Sequence, residues 1–201
     1  MEIDNSWISS ERPFLISGPC SAESETQVES IYKELEAAGN VHVFRAGIWK
    51  PRTRPNSFHG VGDIGLEWMK RVREKGSLPI DVEVANGQHI EACLKTDVDI
   101  IWIGARSTVN PFSVQEIADA LKGVQIPVLI KNPIHPDLSL WIGAVERIQS
   151  SNINEIGLIH RGSPYSANIP YRNLPKWDDA IELKRLFSNY TMICDSSHFS
   201  G

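Results

Sequence analysis

The stretch Ile100-Ile-Trp-Ile-Gly-Ala-Arg106 has the pattern that decides the fold, because a short apolar run leads through two small residues to a cation. Pro127-Val-Leu-Ile-Lys131 repeats this pattern. A brief run of β-branched or aromatic residues that is hydrophobic without alternation is typical of a strand buried on both faces. Five further runs of this kind begin at Phe14, His42, Leu78, Ile156 and Thr191. The sequence therefore predicts about seven buried strands.

Amphipathic stretches between these runs predict helices. Ser24 and Gln27 resemble a capping box at the start of a helix that Gly39 ends. Asp63 is predicted to cap the next helix, which ends before Gly76. Further helices are predicted over residues 88–95, 113–122, 138–149 and 177–187. No Gly-, Ser- or Pro-rich linker divides the chain, so we predict a single domain over residues 1–201.

Strict alternation of strands and helices implies a parallel sheet, which closes as an open doubly wound sheet or as a barrel. The open form is disfavoured, since neither Gly-x-Gly-x-x-Gly nor the phosphate-binding Gly-x-x-x-x-Gly-Lys-Ser/Thr follows the first strand. The barrel is favoured because polar or charged groups follow nearly every strand, and in a barrel these ends share one rim. We therefore predict an α/β fold, a (β/α)8 TIM barrel with about seven of its eight strands in this chain.

The distribution of charge points to an anionic ligand. Lys and Arg number 20 against 25 Asp and Glu, a net charge of -5, which disfavours a general nucleic-acid or membrane-surface binder. A single cation after a strand is ordinarily a solvated or salt-bridged surface residue. Several would converge on the predicted rim and repel one another unless an anion such as a phosphate or carboxylate lay between them. They include Arg45, Lys50, Arg52, Arg106, Lys131 and Arg161.

Cysteine usage favours a metal over a disulfide framework. Cys20, Cys93 and Cys194 are odd in number and widely spaced, so neither disulfides nor a zinc ribbon is indicated. Cys20 alone would suit a core position, and His198 alone a structural role. Together they follow the first and seventh strands, which approach each other in a closed barrel, and a thiolate with an imidazole suits a divalent transition ion.

No part of the sequence indicates a membrane or secretory destination. The longest apolar runs fall far short of the roughly 20 residues that a membrane helix needs. The N-terminus has neither a basic region nor an apolar one of signal-peptide type. The cytoplasm is therefore the expected location.

Six motifs lie at or after the ends of predicted strands: Gly18-Pro-Cys-Ser21, Lys50-Pro-Arg-Thr53, Gly104-Ala-Arg106, Ile130-Lys-Asn-Pro133, His160-Arg-Gly162 and Asp195-Ser-Ser-His198. In their order and spacing they resemble 3-deoxy-D-arabino-heptulosonate 7-phosphate (DAHP) synthase, in the type I branch that is also similar to 3-deoxy-D-manno-octulosonate 8-phosphate (KDO8P) synthase. The form Lys50-Pro-Arg-Thr53 favours the DAHP enzymes, and Cys20 favours a metal-dependent one. The resemblance covers essentially the whole chain.

The resemblance implies a transferase that condenses phosphoenolpyruvate with erythrose 4-phosphate, the first step of the shikimate pathway to aromatic amino acids. It implies a homo-oligomer and a divalent metal ion of the Mn, Fe, Co or Zn class. The implied metal ligands and catalytic groups are Cys20 and His198, with Lys50 as a further catalytic group. The implied phosphoenolpyruvate-binding residues are Arg45, Lys50, Arg106, Lys131 and Arg161. Arg52 and Thr53 would hold the phosphate of the second sugar, in a loop that Pro51 stiffens.

For the reaction itself, Lys50 is predicted to be the general acid that protonates the new alkoxide. The alternative is that Lys50 only binds phosphoenolpyruvate. The group that activates the attacking water stays open, with a metal-bound water as one candidate.

The chain also departs from the family pattern. The remaining Glu and Asp metal ligands would lie beyond Gly201, which predicts that the 201 residues are a fragment of a longer enzyme. A C-terminal chorismate mutase-like domain would fit there, whereas no additional N-terminal domain is expected. Arg54 stands where the family usually has Ser, and His160 where related enzymes often have Glu. Two alternative functions remain: a KDO8P synthase that uses arabinose 5-phosphate, and a non-catalytic fragment that binds phosphorylated metabolites.

Overall fold

The structure, a computed structural model, describes residues 13–50, 54, 56–165 and 170–200. These residues fall into two compact units, an N-terminal unit that ends at Ile101 and a C-terminal unit that begins at Trp102. Each unit consists of strands that alternate with helices, as the sequence predicts. The prediction of a single domain stays a prediction.

The N-terminal unit has three strands in parallel, in the order β1-β2-β3. Helices connect them, and the outer helices α1 and α2 pack on each other. The elements are β1 (Ile16–Ser17), α1 (Glu25–Ala38), β2 (Val43–Ala46), α2 (Ile64–Lys75), β3 (Ile80–Val84) and α3 (Gly87–Lys95). The next strand, β4 (Ile100–Ile103), contains the boundary between the units.

The C-terminal unit has a second run of parallel strands, in the order β5-β6-β7. Its elements are α4 (Ala105–Thr108), α5 (Pro111–Ala120), β5 (Val128–Lys131), α6 (Leu138–Gln149), β6 (Ile156–His160), α7 (Trp177–Leu186) and β7 (Thr191–Cys194), followed by a 3-10 turn (Ser196–His198). Within each unit the strand order follows the chain, without the reversal of a doubly wound sheet. The predicted fold class, α/β of the (β/α)8 barrel type, is confirmed, with seven strands in the part of the chain that the structure describes.

Burial explains why the strands read as continuous apolar runs. Every residue of β5 and β6 is buried, whereas β1 and most of β7 are only half-buried. Strands covered on both faces need apolar side chains at successive positions, which is the pattern that the sequence shows. In the described part of the chain, no helix is both long and apolar enough to cross a membrane.

One predicted cap is confirmed and one is wrong. The Ser24 hydroxyl accepts from the Gln27 N–H at 3.2 Å and starts α1, which Gly39 ends with a φ of 69°. Asp63 precedes α2, but its side chain caps no helix N–H. Its carboxylate instead accepts from the Trp49 indole N–H at 3.2 Å, so a tertiary contact takes the oxygen that the cap needed.

Candidate functional site

Lys50 is the centre of the candidate site in the N-terminal unit. Its side chain is 8% exposed, and its ammonium donates to the Cys20 carbonyl oxygen at 2.5 Å. Nζ also lies 3.7 Å from Cys20 Sγ and 3.7 Å from Glu83 Oε2. The segment after β1, the segment after β2 and strand β3 therefore all contribute to the surroundings of one cation.

Gly47 makes this arrangement sterically possible. A Cβ built on Gly47 would lie 2.4 Å from the Cys20 carbonyl oxygen and 2.6 Å from Lys50 Nζ. Both distances are well below van der Waals contact, so a larger residue would displace the ammonium or the carbonyl. Glycine is required at position 47 because a side chain there would occupy the space of the Lys50 ammonium.

The other substrate-binding residues predicted in this unit differ in what the structure describes. Arg45 lies on β2, in register with Asp81 on β3, so the two occupy neighbouring positions of the sheet. Pro51, Arg52 and Thr53 lie outside the described residues, and their predicted roles stay predictions.

Lys131, Asp195 and His198 form a compact charged cluster in the C-terminal unit. One carboxylate oxygen, Asp195 Oδ2, lies 3.0 Å from Lys131 Nζ and 2.9 Å from His198 Nδ1. The Ser197 hydroxyl donates to the other oxygen, Oδ1, at 2.7 Å. Burial alone would raise the pKa of Asp195, but the hydrogen bond with His198 and the charge of Lys131 outweigh it and hold that pKa well below its usual range.

Arg161 is a buried cation with unused hydrogen-bond donors. Its backbone N–H donates to Asn132 Oδ1 at 2.7 Å, and the Asn132 amide donates to the Gly162 carbonyl at 2.9 Å, which fixes the chain here. The side chain is 7% exposed, and its Nε and Nη1 atoms have no hydrogen-bond partner. Burial lowers the pKa of Arg161, the charge of Asp195 raises it, and the charge of Arg106 lowers it by less than Asp195 raises it. Buried guanidinium donors without a hydrogen-bond partner suit an anion.

The structure brings together some predicted site residues and adds others. Lys50 lies against Cys20, Lys131 is linked with His198, and the charge of Arg106 acts on Arg161. Cys20 and His198 belong to different units, so their pairing at one metal stays a prediction. No specific site role was predicted for Gly47, Glu83, Asn132 or Asp195. Three of these stood inside or beside the recognised motifs, and Asp195 precedes His198 by three positions within one of them.

The donor chemistry fits a divalent transition ion. A histidine whose Nδ1 is held by a carboxylate presents Nε2 to a metal, and this carboxylate–histidine arrangement is common in metal sites. Asp195 and His198 have this relation. Cys20 is exposed and offers a thiol, a ligand type for such ions. Within the described ranges no group of three or more His, Cys, Asp or Glu residues is arranged for a metal.

Comparison with known proteins identifies the family of this chain. The sequence model described as the DAHP synthetase I family matches residues 6–201. The chain belongs to the DAHP synthetase I family. The resemblance drawn from the motifs is thereby confirmed.

Individual members and neighbours support the assignment. The chain is 30% identical over 187 residues to a phospho-2-dehydro-3-deoxyheptonate aldolase of Thermotoga maritima, covering 93% of this chain and 53% of that protein. It is 28% identical over 180 residues to a 2-dehydro-3-deoxyphosphooctonate aldolase of Nitratidesulfovibrio vulgaris, covering 82% of this chain and 62% of that one. The chain thus spans about half to two thirds of the length of these curated relatives.

Solved structures of the family share the fold. The crystal structure of the DAHP synthase of Thermotoga maritima aligns with a TM-score of 0.77 at 27% identity, over 93% of this chain and 52% of that one. A truncated form of the Thermotoga maritima synthase aligns with a TM-score of 0.74 at 26% identity, over 94% of this chain and 66% of that one. This chain therefore has the fold of the corresponding part of a DAHP synthase.

Proposed function

We propose that this chain carries the phosphoenolpyruvate-binding and acid-catalytic groups of a DAHP synthase, a transferase that condenses phosphoenolpyruvate with erythrose 4-phosphate. The observation that carries the proposal is the Arg161 guanidinium, which is buried with two nitrogens that have no hydrogen-bond partner. Such donors are costly unless an anion satisfies them. Family membership indicates which anion to test.

Different cations bind the two substrates. Arg106, Lys131 and Arg161 hold the phosphate and carboxylate of phosphoenolpyruvate, with Arg45 and Lys50 reaching the same substrate. Guanidinium groups suit this task because their planar donors match both anions. Arg52 and Thr53 hold the phosphate of the second sugar, and Pro51 stiffens their loop.

Lys50 is the general acid. C3 of phosphoenolpyruvate forms a bond to the aldehyde carbon of erythrose 4-phosphate, and the aldehyde oxygen takes a proton from Lys50 Nζ. C2 then takes up water, and the resulting hemiketal phosphate loses inorganic phosphate by cleavage of its C–O bond. The 8% exposure of Lys50 supports this role, because a nearly buried ammonium can be aimed at one oxygen.

Cys20 and His198 are the groups of this chain that would hold a divalent ion of the Mn, Fe, Co or Zn class. When bound, the ion polarises the aldehyde carbonyl. Asp195 keeps the His198 ring oriented for that ligand role. The same family relation supports a place in the shikimate pathway, a cytoplasmic location and a homo-oligomeric assembly.

The test is a discontinuous assay of phosphoenolpyruvate loss and inorganic phosphate release by the full chain. We expect both to require erythrose 4-phosphate together with a divalent ion, and chelation to abolish them. Binding of phosphoenolpyruvate without turnover under all conditions would instead identify a non-catalytic metabolite-binding chain.

Lys50→Met separates the acid role of Lys50 from a binding role. We expect a slower chemical step in single-turnover kinetics with little change in phosphoenolpyruvate affinity. Weaker affinity with an unchanged chemical step would show that Lys50 only binds the substrate.

A second candidate function is supported by the octonate aldolase relative. A KDO8P synthase of this fold would use arabinose 5-phosphate as the aldehyde. Direct competition between the two aldehydes decides: faster consumption of phosphoenolpyruvate with arabinose 5-phosphate would replace the heptulosonate assignment.

A further inference from the structure

The residue that precedes Lys50 is held much more firmly than its position in a connecting segment requires. The Trp49 indole is 8% exposed and stacks on the His89 ring, with centroids 3.9 Å apart and planes 5° from parallel. Its Nε1–H donates to Asp63 Oδ1 at 3.2 Å. Two directions of the indole are thus fixed, one by a ring face and one by a hydrogen bond.

His89 is itself fixed at the start of α3. Its backbone N–H donates to the Asn86 side chain that caps the helix, at 2.9 Å. Its ring atom Nδ1 accepts from the Ala85 N–H at 3.2 Å. The ring therefore cannot turn away from Trp49 without losing a hydrogen bond to the chain segment that follows β3.

The backbone on either side of Trp49 is tied as well. The Lys50 N–H donates to the His59 carbonyl at 2.8 Å, and the Gly62 N–H donates to the Ile48 carbonyl at 3.1 Å. Gly60 has a φ of 92° and leaves no room for a Cβ, which would lie 2.0 Å from the Ile48 carbonyl oxygen. Residues 48–50 are therefore held by both backbone and side-chain contacts.

We propose that His89 is a positioning residue for Lys50, which acts through its stacked contact with Trp49 and sets the direction of the Lys50 ammonium. Strand β3 and helix α3 then each support the lysine. Glu83 on β3 lies 3.7 Å from Lys50 Nζ, and His89 on α3 acts through Trp49. Small displacements of a reacting group are costly in rate, so a residue that fixes the direction of the Lys50 ammonium contributes to catalysis through Lys50. The catalytic part of this inference rests on the proposed function.

The test compares His89→Ala with two conservative variants and a matched control. His89→Phe keeps a ring to stack on Trp49, whereas His89→Asn keeps a side-chain acceptor without a ring. The control is His42→Ala, since His42 also has a ring contact, to Phe14 at 4.9 Å, and also accepts a backbone N–H on Nδ1, from Leu15 at 3.2 Å. His42 precedes β2 whereas Lys50 follows it, so the two lie beyond opposite ends of that strand.

The primary measurement is the rate at which an amine-acetylating reagent labels Lys50 at one fixed pH, followed by mass spectrometry. Lys122, with a 65% exposed side chain, serves as the internal reference in the same digest. We expect labelling of Lys50 to rise at least about fivefold in His89→Ala and His89→Asn, because local opening exposes the ammonium. His89→Phe and His42→Ala should stay within about twofold of the unsubstituted chain.

Loss of overall structure gives a different pattern from loss of positioning. If His89→Ala fails to fold, as judged by circular dichroism, the His89→Asn and His89→Phe pair carries the comparison. Equal labelling of Lys50 in these two variants would overturn the proposal, and so would a matching rise in His42→Ala.

The kinetic arm distinguishes this proposal from the proposed function. With turnover in the unsubstituted chain, His89→Asn should lower kcat about tenfold while KM for phosphoenolpyruvate changes less than about twofold. An unchanged kcat would overturn the catalytic role of the positioning. Absence of turnover in every variant would count against the proposed function, and the labelling rates would still decide whether His89 positions Lys50.

Discussion

Lys50 in the N-terminal unit and Lys131 in the C-terminal unit are both 8% exposed, yet their ammonium groups have different partners. Lys131 Nζ lies 3.0 Å from the Asp195 carboxylate. The shortest described contact of Lys50 Nζ is the neutral carbonyl of Cys20, and its Glu83 carboxylate partner lies at 3.7 Å. One lysine therefore belongs to a tight ion pair, whereas the other is aimed by a neutral group. The first suits a fixed place in anion binding, and the second suits proton donation at a reacting oxygen.

Removal of the Asp195 carboxylate, the partner in the shorter ion pair, should have the largest effect on stability. In Asp195→Ala the nearly buried Lys131 loses its ion partner, so we expect the free energy of unfolding to fall by about 3–5 kcal/mol. In Glu83→Ala the more distant contact to Lys50 is lost, but the Cys20 carbonyl still accepts from its ammonium, so we expect a smaller loss, below about 3 kcal/mol. Urea unfolding of both variants measures the difference. Equal losses would show that the two lysines are held alike.

The space around Lys50 is the next point to test. Gly47→Ala places a methyl group against the Cys20 carbonyl and Lys50 Nζ, and we expect it to destabilise the chain by about 1–3 kcal/mol. It should also speed acetylation of Lys50. The control is Gly143→Ala in α6, where the new Cβ meets only the end of the Arg147 side chain at 2.9 Å. The control should be neutral or stabilising by up to about 1 kcal/mol, because alanine favours a helix interior. A loss of stability in the control as large as that in Gly47→Ala would show that steric contact with Lys50 and the Cys20 carbonyl is not the cause.

His160 offers a smaller effect of opposite sign. Both of its ring nitrogens are buried without a hydrogen-bond partner, among the rings of Trp141, Trp177 and Phe199. His160→Phe keeps an aromatic ring and removes the unsatisfied atoms, so we expect a gain of about 1 kcal/mol in thermal or urea unfolding. A loss of stability would mean that these nitrogens have partners in solution.

The pH dependence of stability provides a separate check on His160. Burial lowers the pKa of His160, so the unfolded chain binds the proton more readily than the folded chain. The contribution to stability is present above the unfolded pKa of about 6.5 and is lost as the pH falls toward the lowered folded pKa. Urea midpoints between about pH 7 and pH 5 should fall less steeply in His160→Phe than in the unsubstituted chain. Parallel slopes would exclude His160 as their source.

The strands and most helices could be predicted because their signals are local. Buried parallel strands require successive apolar residues, and the runs in the sequence coincide with β1 to β7. The four-residue helix α4 gave no such signal, because it is shorter than any useful hydrophobic period. The Asp63 cap was predicted wrongly because the competing donor, Trp49, approaches only after folding.

The site was predictable in its residue types and much less in its contacts. Motifs indicated the cations, but the role of Asp195 depends on Lys131, which is the last residue of a different strand, β5. The need for glycine at position 47 depends on the tip of Lys50 and on a carbonyl near the start of the chain. Such requirements arise from distances between segments, which a single sequence does not state.

The most direct test of the central claim is a protection experiment. Acetylation of Lys50 and Lys131 is measured by mass spectrometry at one pH, with and without saturating phosphoenolpyruvate, and Lys122 again serves as the exposed reference. We expect phosphoenolpyruvate to slow labelling of both lysines at the same ligand concentration, while the reference is unaffected. Unchanged labelling of both lysines in its presence would show that neither lysine binds phosphoenolpyruvate.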